Sequence, residues 1–337
     1  MNEHLQTRQY TTRFMILTAL CIVTFLGSFL LGRFSVSPGE LFRVLTAGPG
    51  GSGSESVVVW SIRMPRILCA LLVGAALSAA GASYQGMFRN PMVSPDLLGA
   101  STGAGFGAAL AILLSCSYFG ITVMAFCFGL AAVGLAYTVS RFSRLEATLS
   151  MVLSGVMISS LFSACTSFVK LVADTEDQLP AITYWLMGSL SSVKGKDTLF
   201  AIVPILIGLI PLILLRWRIN LLTVSEAEAK SMGLHTDRLR LIVILCATLV
   251  TSASVAVSGM IGWVGLVIPH FCRMLFGYDY RRLIPASILM GGTFLLVVDD
   301  IARCVTASEI PLGILTSFVG APVFIYLILT GGESRGR

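Results

Sequence analysis

The sequence predicts an all-α polytopic membrane protein of about ten transmembrane helices, on two observations. Over 337 residues the chain is 55% hydrophobic and 12% charged, with a mean hydropathy of +0.88; soluble domains carry roughly 25% charged residues. Apolar runs also recur along the whole chain, each near the ~20 residues that a helix needs to cross the hydrocarbon core.

The runs justify themselves in order. Phe14–Gly32 opens the series, and no small-residue cleavage site of the A-x-A kind follows it, so it reads as a retained helix. Ile67–Tyr84 and Asp96–Leu114 are dense in small residues, with Gly99, Gly103 and Gly107 at four-residue spacing. Such a bare face lets transmembrane helices approach closely. Ile121–Val139, Leu149–Val169, Leu199–Leu215 and Leu241–Ser258 are plain apolar spans. Met260–Leu275 is short and broken by Gly and Pro, which membrane depth tolerates where neighbours or a wet cavity satisfy the backbone. Leu283–Cys304 and Leu312–Leu329 close the series. In Leu283–Cys304, Asp299 and Asp300 precede Arg303 at helical spacing for a local ion pair.

Residues 1–337 read as a single transmembrane domain with two long connections. Residues 35–66 carry the loop-like GPGGSGSES, and residues 217–240 carry SEAEAKSMG, read as a short polar helix with Gly233 as its C-cap. The net charge is +6. Its basic residues fall mainly in short loops, a pattern that orients membrane helices and does not suggest a nucleic-acid partner. With the N-terminus inside, fifteen of the 23 lysines and arginines face the cytoplasm, which places both termini there.

Several chemistries are absent from the pattern. No GxxxxGK[ST] occurs, VKGKDT around Gly195 being the nearest approach, and there is no HExxH and no nucleophile elbow. The eight cysteines lack metal-ligand spacing and read as packing residues. His270 reads as structural, and no enzyme activity is expected. Carboxylates and histidines near span centres are the usual receivers for ion coupling, and their scarcity counts against the alternative class, an ion-coupled secondary transporter.

Longer motifs then appear in order. RMPR at Arg63–Arg66 is followed by GAALSAAGASYQGMFRNPMVSPDLLGASTGAG, then by EAEAKSMG, SGMIGWVGLVIPHFCR and DDIARCVTASEIPLGILTSFVGAPVF. In this order and at these separations they closely resemble the FecCD-type permease family, over nearly the whole of residues 14–330. The resemblance implies a type II ABC importer permease fold for iron chelates of siderophore type, with haem, cobalamin or molybdate-type oxyanions as alternatives. It implies a second copy of the chain, two cytoplasmic ABC ATPases, an extracytoplasmic substrate-binding protein, membrane lipid and a bacterial inner-membrane location. ATP and Mg would be bound by the ATPases, with no cofactor in this chain.

The resemblance also carries over residue by residue. Arg63, Arg66 and Arg303 match positions that dock the binding protein. Leu221, Leu222, Glu226, Ala227, Ala229, Met232, Gly233 and Leu234 match the ATPase-docking loop. Asn90, Met92 and Thr148 match the cytoplasmic gate. Met151, Leu153, Met157, Ser160 and Phe162, on the fifth span, are candidates for the pathway wall.

Overall fold

The structure is a computed structural model and describes residues 2–51, 53–224, 228, 235–306 and 308–330. All ten apolar runs are helical. They form α1 (Asn2–Ser28), α3 (Ser54–Met87), α4 (Ala100–Leu113), α5 (Tyr118–Phe142), α6 (Ala147–Val172), α8 (Gly195–Leu214), α10 (Thr236–Ser258), α11 (Val264–Phe276), α12 (Tyr280–Cys304) and α13 (Leu312–Thr330). Among the described residues, three further helices lie between them: α2 (Pro38–Ala47), α7 (Gln178–Leu186) and α9 (Arg216–Leu222). Seven of the helices are long and apolar enough to cross a membrane, and α4, α11 and α13 are shorter apolar helices.

Residues 35–66, read from sequence as a loop, are largely helical. Ser37 accepts the Glu40 N–H, and the Glu40 carboxylate accepts the Ser37 N–H, a reciprocal capping box with Pro38 in the first turn. Gly48 stops α2 at φ +77. The Trp60 indole then donates to the Val44 carbonyl and ties α2 to α3.

Helix α3 is the central post, with α8, α10, α11 and α12 packed around it. Nearly every residue from Pro65 to Met87 is buried. Its small residues explain the packing: a Cβ at Gly74 would lie 2.2 Å from the Gly291 carbonyl oxygen of α12. One at Gly81 would lie 1.8 Å from that of Gly265 in α11. No side chain fits at these crossings, so the helices touch backbone to backbone.

Two spans are discontinuous. Helix α4 has 14 residues and α11 has 13, so each rises only ~20 Å against a hydrocarbon core of ~30 Å. Non-helical chain completes the crossing. Before α4, residues 88–99 climb back into the bundle until the Leu97 carbonyl lies against Gly155 and Gly99 against Ser159, both well inside α6. Before α11, the chain from Gly259 descends past Gly320 of α13, where Trp263 takes a φ of +70°. Asp96, which the sequence placed at the edge of a span, therefore stands at membrane depth in a short 3-10 turn, Pro95–Leu98. Its carboxylate accepts the Ser101 hydroxyl at the start of α4.

Candidate functional site

The chain's chemistry gathers at the two ends of the bundle. One end holds the start of α1, the loop after α3, α9 and the start of α12, and is called here the basic end. The other holds the end of α1, the first turns of the buried part of α3 and the end of α12, and is called the network end.

At the network end, Arg66 of α3 grips Asp299 of α12. Its Nε lies 3.0 Å from both carboxylate oxygens and its Nη2 lies 2.8 Å from Oδ1. The same guanidinium reaches Glu309 at 2.9 Å. Asp300 accepts the Ser28 hydroxyl at 2.5–2.6 Å and also Arg303, whose Nη2 donates to the Ser28 carbonyl at 2.8 Å. Arg303 also stands 3.8 Å from Asp299, so the local pairing expected from spacing is present and is shared with Arg66. Arg63 donates to the carbonyls of Phe29 and Phe34. Gly32 beside it takes a φ of +136°, a backbone conformation that L side chains rarely adopt, which explains the glycine there.

Two guanidiniums, Arg66 and Arg303, thus share three carboxylates while Arg63 bonds backbone carbonyls, and together they tie α1, α3 and α12. The arginines matched to binding-protein docking are turned inward: Arg63, Arg66 and Arg303 are 3%, 7% and 6% exposed. Arg33, Arg43, Lys194 and Lys196, by contrast, are exposed.

At the basic end, Asn90 and Met92 are exposed in the loop after α3, where the Asn90 side chain accepts the Met92 N–H at 2.9 Å. Arg89, at φ +52, donates from Nε to the Leu222 carbonyl at 2.9 Å. That bond joins the loop carrying Asn90 and Met92 to the last residue of α9. Helix α9 is itself seated: Ile219 and Leu222 are fully buried, and the Asn220 amide bonds Asp279 and the Tyr280 N–H at the start of α12. Of the residues matched to ATPase docking, Leu222 therefore packs inward and Leu221 is half-buried. Glu226, Ala227, Ala229, Met232, Gly233 and Leu234 lie outside the described residues, as does the polar helix read across SEAEAKSMG apart from Glu228.

Gln85 is a second junction. Its amide donates to the Val93 carbonyl at 3.1 Å and to the Leu266 carbonyl at 3.4 Å, and its oxygen accepts Arg273 at 2.6 Å. This one side chain ties α3 to the loop after it and to α11. Thr148 sits in the first turn of α6. Its N–H and that of Leu149 are capped by Glu146 at 3.1 and 3.0 Å, and these backbone bonds hold the Glu146 carboxyl below the usual carboxylate range. Thr148 lines a cavity of about 210 Å³ with Met87, Phe88, Tyr137, Arg240 and Met151. The cavity brings it beside the end of α3, immediately before Asn90 and Met92.

The five pathway candidates on α6 divide. Leu153, Met157 and Ser160 lie on the exposed face. Met151 lines the inner cavity, and Phe162 stacks inward on Phe106 and Phe128. His270 is half-buried, and no cluster of metal-ligating side chains occurs among the described residues. Sequence reasoning counted Arg89 only as a loop charge and passed over Gln85. For Arg89 a signal was available, since it directly precedes the Asn-Pro of RNPMVSP.

The fold and these junctions can be compared with known proteins. The model of the FecCD transport family matches residues 20–330. The chain belongs to the FecCD transport family. It is accordingly an ABC-transporter permease of the multi-span membrane type. It is 39% identical to the molybdate import system permease protein MolB of Haemophilus influenzae over 325 residues, 95% of this chain and 96% of that one. It is 44% identical to a probable iron chelatin transport system permease of Helicobacter pylori over 275 residues, 82% of this chain and 83% of that one. A solved structure described as an inward-facing metal-chelate type ABC transporter matches it with a TM-score of 0.87 and 39% identity. That match covers 95% of this chain and 99% of the other.

Proposed function

We propose that this chain is the membrane subunit of an ATP-driven importer for iron chelates of siderophore type. It works as a homodimer in a bacterial inner membrane, with the basic end and both termini in the cytoplasm. Two ABC ATPases engage the segment after α9, and a substrate-binding protein docks at the network end. The observation that carries the reading is the Arg89–Leu222 bond, because it couples the segment where an ATPase would push to the loop that would gate. Helix α9 is firmly packed, so a displacement of the segment following it is passed to the loop after α3 instead of being lost in a flexible connection.

The pathway in this reading runs along the α6 face that presents Leu153, Met157 and Ser160. Docking at the network end takes a specific form. Glu309 is a quarter exposed, so it is the carboxylate that an acidic side chain of the binding protein would displace from Arg66. Iron chelates lead because the Helicobacter relatives at 44% identity are named for them. Relatives named for molybdate, cobalamin and hemin supply the alternatives.

The test is uptake by liposomes containing this chain with its cognate ATPase and binding protein, offered a ferric chelate, cobalamin, hemin or molybdate in parallel. ATP-dependent accumulation of the ferric chelate alone is the expected result. Accumulation of one of the others instead reassigns the substrate. Uptake driven by an ion gradient without ATP overturns the importer reading.

A further inference from the structure

The junction of α8 and α9 carries a groove that the transport reading does not use. It is an open recess of about 430 Å³ lined by Ile213, Leu214, Arg216, Trp217 and Arg281. The Arg281 guanidinium stands 5.6 Å from the centre of the Trp217 ring, within cation–π range. Leu214 is 76% exposed and Trp217 is 47% exposed, so the recess opens outward.

Asp279, two residues before Arg281, is the nearest acid in sequence, but its carboxylate already accepts the Arg281 N–H and the Asn220 amide. No described carboxylate lies within ion-pair distance of Arg216 or Arg281. Arg282, the next residue, lies 3.9 Å above the Tyr10 ring and points toward α1. Two cations without a counter-ion among the described residues therefore flank an aromatic ring at the end of a membrane-spanning helix.

The apolar side of the groove shows what would occupy it. Below Leu214, the exposed apolar side chains of α8 are Leu199, Val203, Leu206, Ile207 and Ile210, a stripe of helical spacing that runs most of the length of the helix. Among the described residues α8 packs on α3, α9, α10 and α12 and, through Phe200, on Phe119 and Phe126 of α5, which leaves this stripe facing the bilayer. The groove thus joins a lipid-facing hydrocarbon track to a pair of guanidiniums at headgroup level, with a tryptophan at the boundary where its amphipathic ring is favoured.

We propose that this groove is a binding site for an anionic phospholipid. The phosphate is held between Arg216 and Arg281, the glycerol region lies against Trp217, and an acyl chain lies along Leu214 and the α8 stripe. Basic pockets between transmembrane helices recognise anionic headgroups in this way. The site matters mechanically because Arg216 and Trp217 begin α9, the helix whose end bonds Arg89. A bound lipid braces α9 from the membrane side.

The full chain is placed in nanodiscs, with phosphatidylglycerol or phosphatidylcholine brominated near the glycerol end of the acyl chains. Fluorescence quenching of Trp217 is taken as the difference between wild type and W217F. Stronger quenching by brominated phosphatidylglycerol is expected. In mixed nanodiscs the preference should fall roughly fivefold for each arginine removed, through R216Q and R216Q/R281Q, while R216K/R281K retains most of it. Unchanged thermal unfolding in neutral detergent shows that the variants are folded. If they are not, the wild-type comparison decides alone. Equal quenching by the two lipids overturns the proposal, as does displacement of the lipid by inorganic phosphate, which would mark a free-phosphate site. Protection of Trp217 by a second copy of the chain, in place of lipid, also overturns it. None of these readouts depends on transport, so the importer reading stands or falls separately.

Discussion

At the network end, Arg66 and Arg303 bond the carboxylates of α12 in a buried interior. At the basic end, Arg89 and Arg273 bond only neutral acceptors, the Leu222 carbonyl and the Gln85 amide. The two ends therefore differ in what it costs to move them. Pulling a buried arginine from its carboxylate exposes two uncompensated charges to a medium that solvates them poorly. Exchanging one neutral acceptor for another, or for water, leaves a single bond to be remade. The arrangement suits a molecule that is stapled at one end and adjusts at the other. The Arg273 Nη2, which has no hydrogen-bond partner among the described residues, fits the same description.

The strongest way to break the comparison is Asp299→Ala. It leaves Arg66 buried without its main partner and is expected to destabilise the chain by about 3–5 kcal/mol. Thermal unfolding in detergent measures this, and a change near zero would show that the network is not the staple described. The next test works at the other end. Arg89→Ala removes one charge-assisted bond in a partly exposed setting, an expected stability loss of about 1.5 kcal/mol. Coupled transport should fall much further than unfolding suggests, about tenfold or more. Loss of transport in proportion to stability would make Arg89 merely structural.

The smallest effect concerns pH. The Glu146 carboxyl is held below the usual carboxylate range in the folded chain by the N–H groups of Thr148 and Leu149. Its contribution is therefore present above the unfolded carboxylate pKa and is lost as pH falls through the lowered folded value. Glu146→Gln should cost about 0.5 kcal/mol near neutral pH, the low end for an exposed N-cap, and should flatten that part of the acid-unfolding profile. An unchanged acid limb would remove the capping role.

Much of this fold was legible in one dimension. Each of the ten apolar runs became a helix because run length against bilayer thickness is a local property. The i, i+3 and i, i+4 relation of Asp299 and Asp300 to Arg303 was legible for the same reason. The partner of Arg66 was not, since Asp299 lies 233 residues away and no local spacing reports it. The inward turn of Arg63 and Arg66 escaped likewise: a guanidinium facing water and one facing a carboxylate look alike in a string. Depth was the other loss. Counting apolar residues placed Asp96 at a boundary, whereas the re-entrant path of residues 88–99 sets it against the middle of α6. The Ser37–Glu40 capping box was present in the sequence and would have found α2.

The two discontinuous spans bear on how the chain enters the membrane during synthesis. A stretch of 13 or 14 helical residues is too short to partition into lipid as an independent span. The non-helical chain beside it cannot be left facing hydrocarbon. Helix α4 must therefore wait for α5 and α6, which arrive later from the ribosome, whereas α11 can dock on α3, already in place, before α12 and α13 complete its surroundings. Insertion is then a matter of groups, with α1 and α3 committed early. A nascent chain released after Leu113 would leave α4 outside the bilayer, whereas one released after Val172 would carry the first discontinuous span in place.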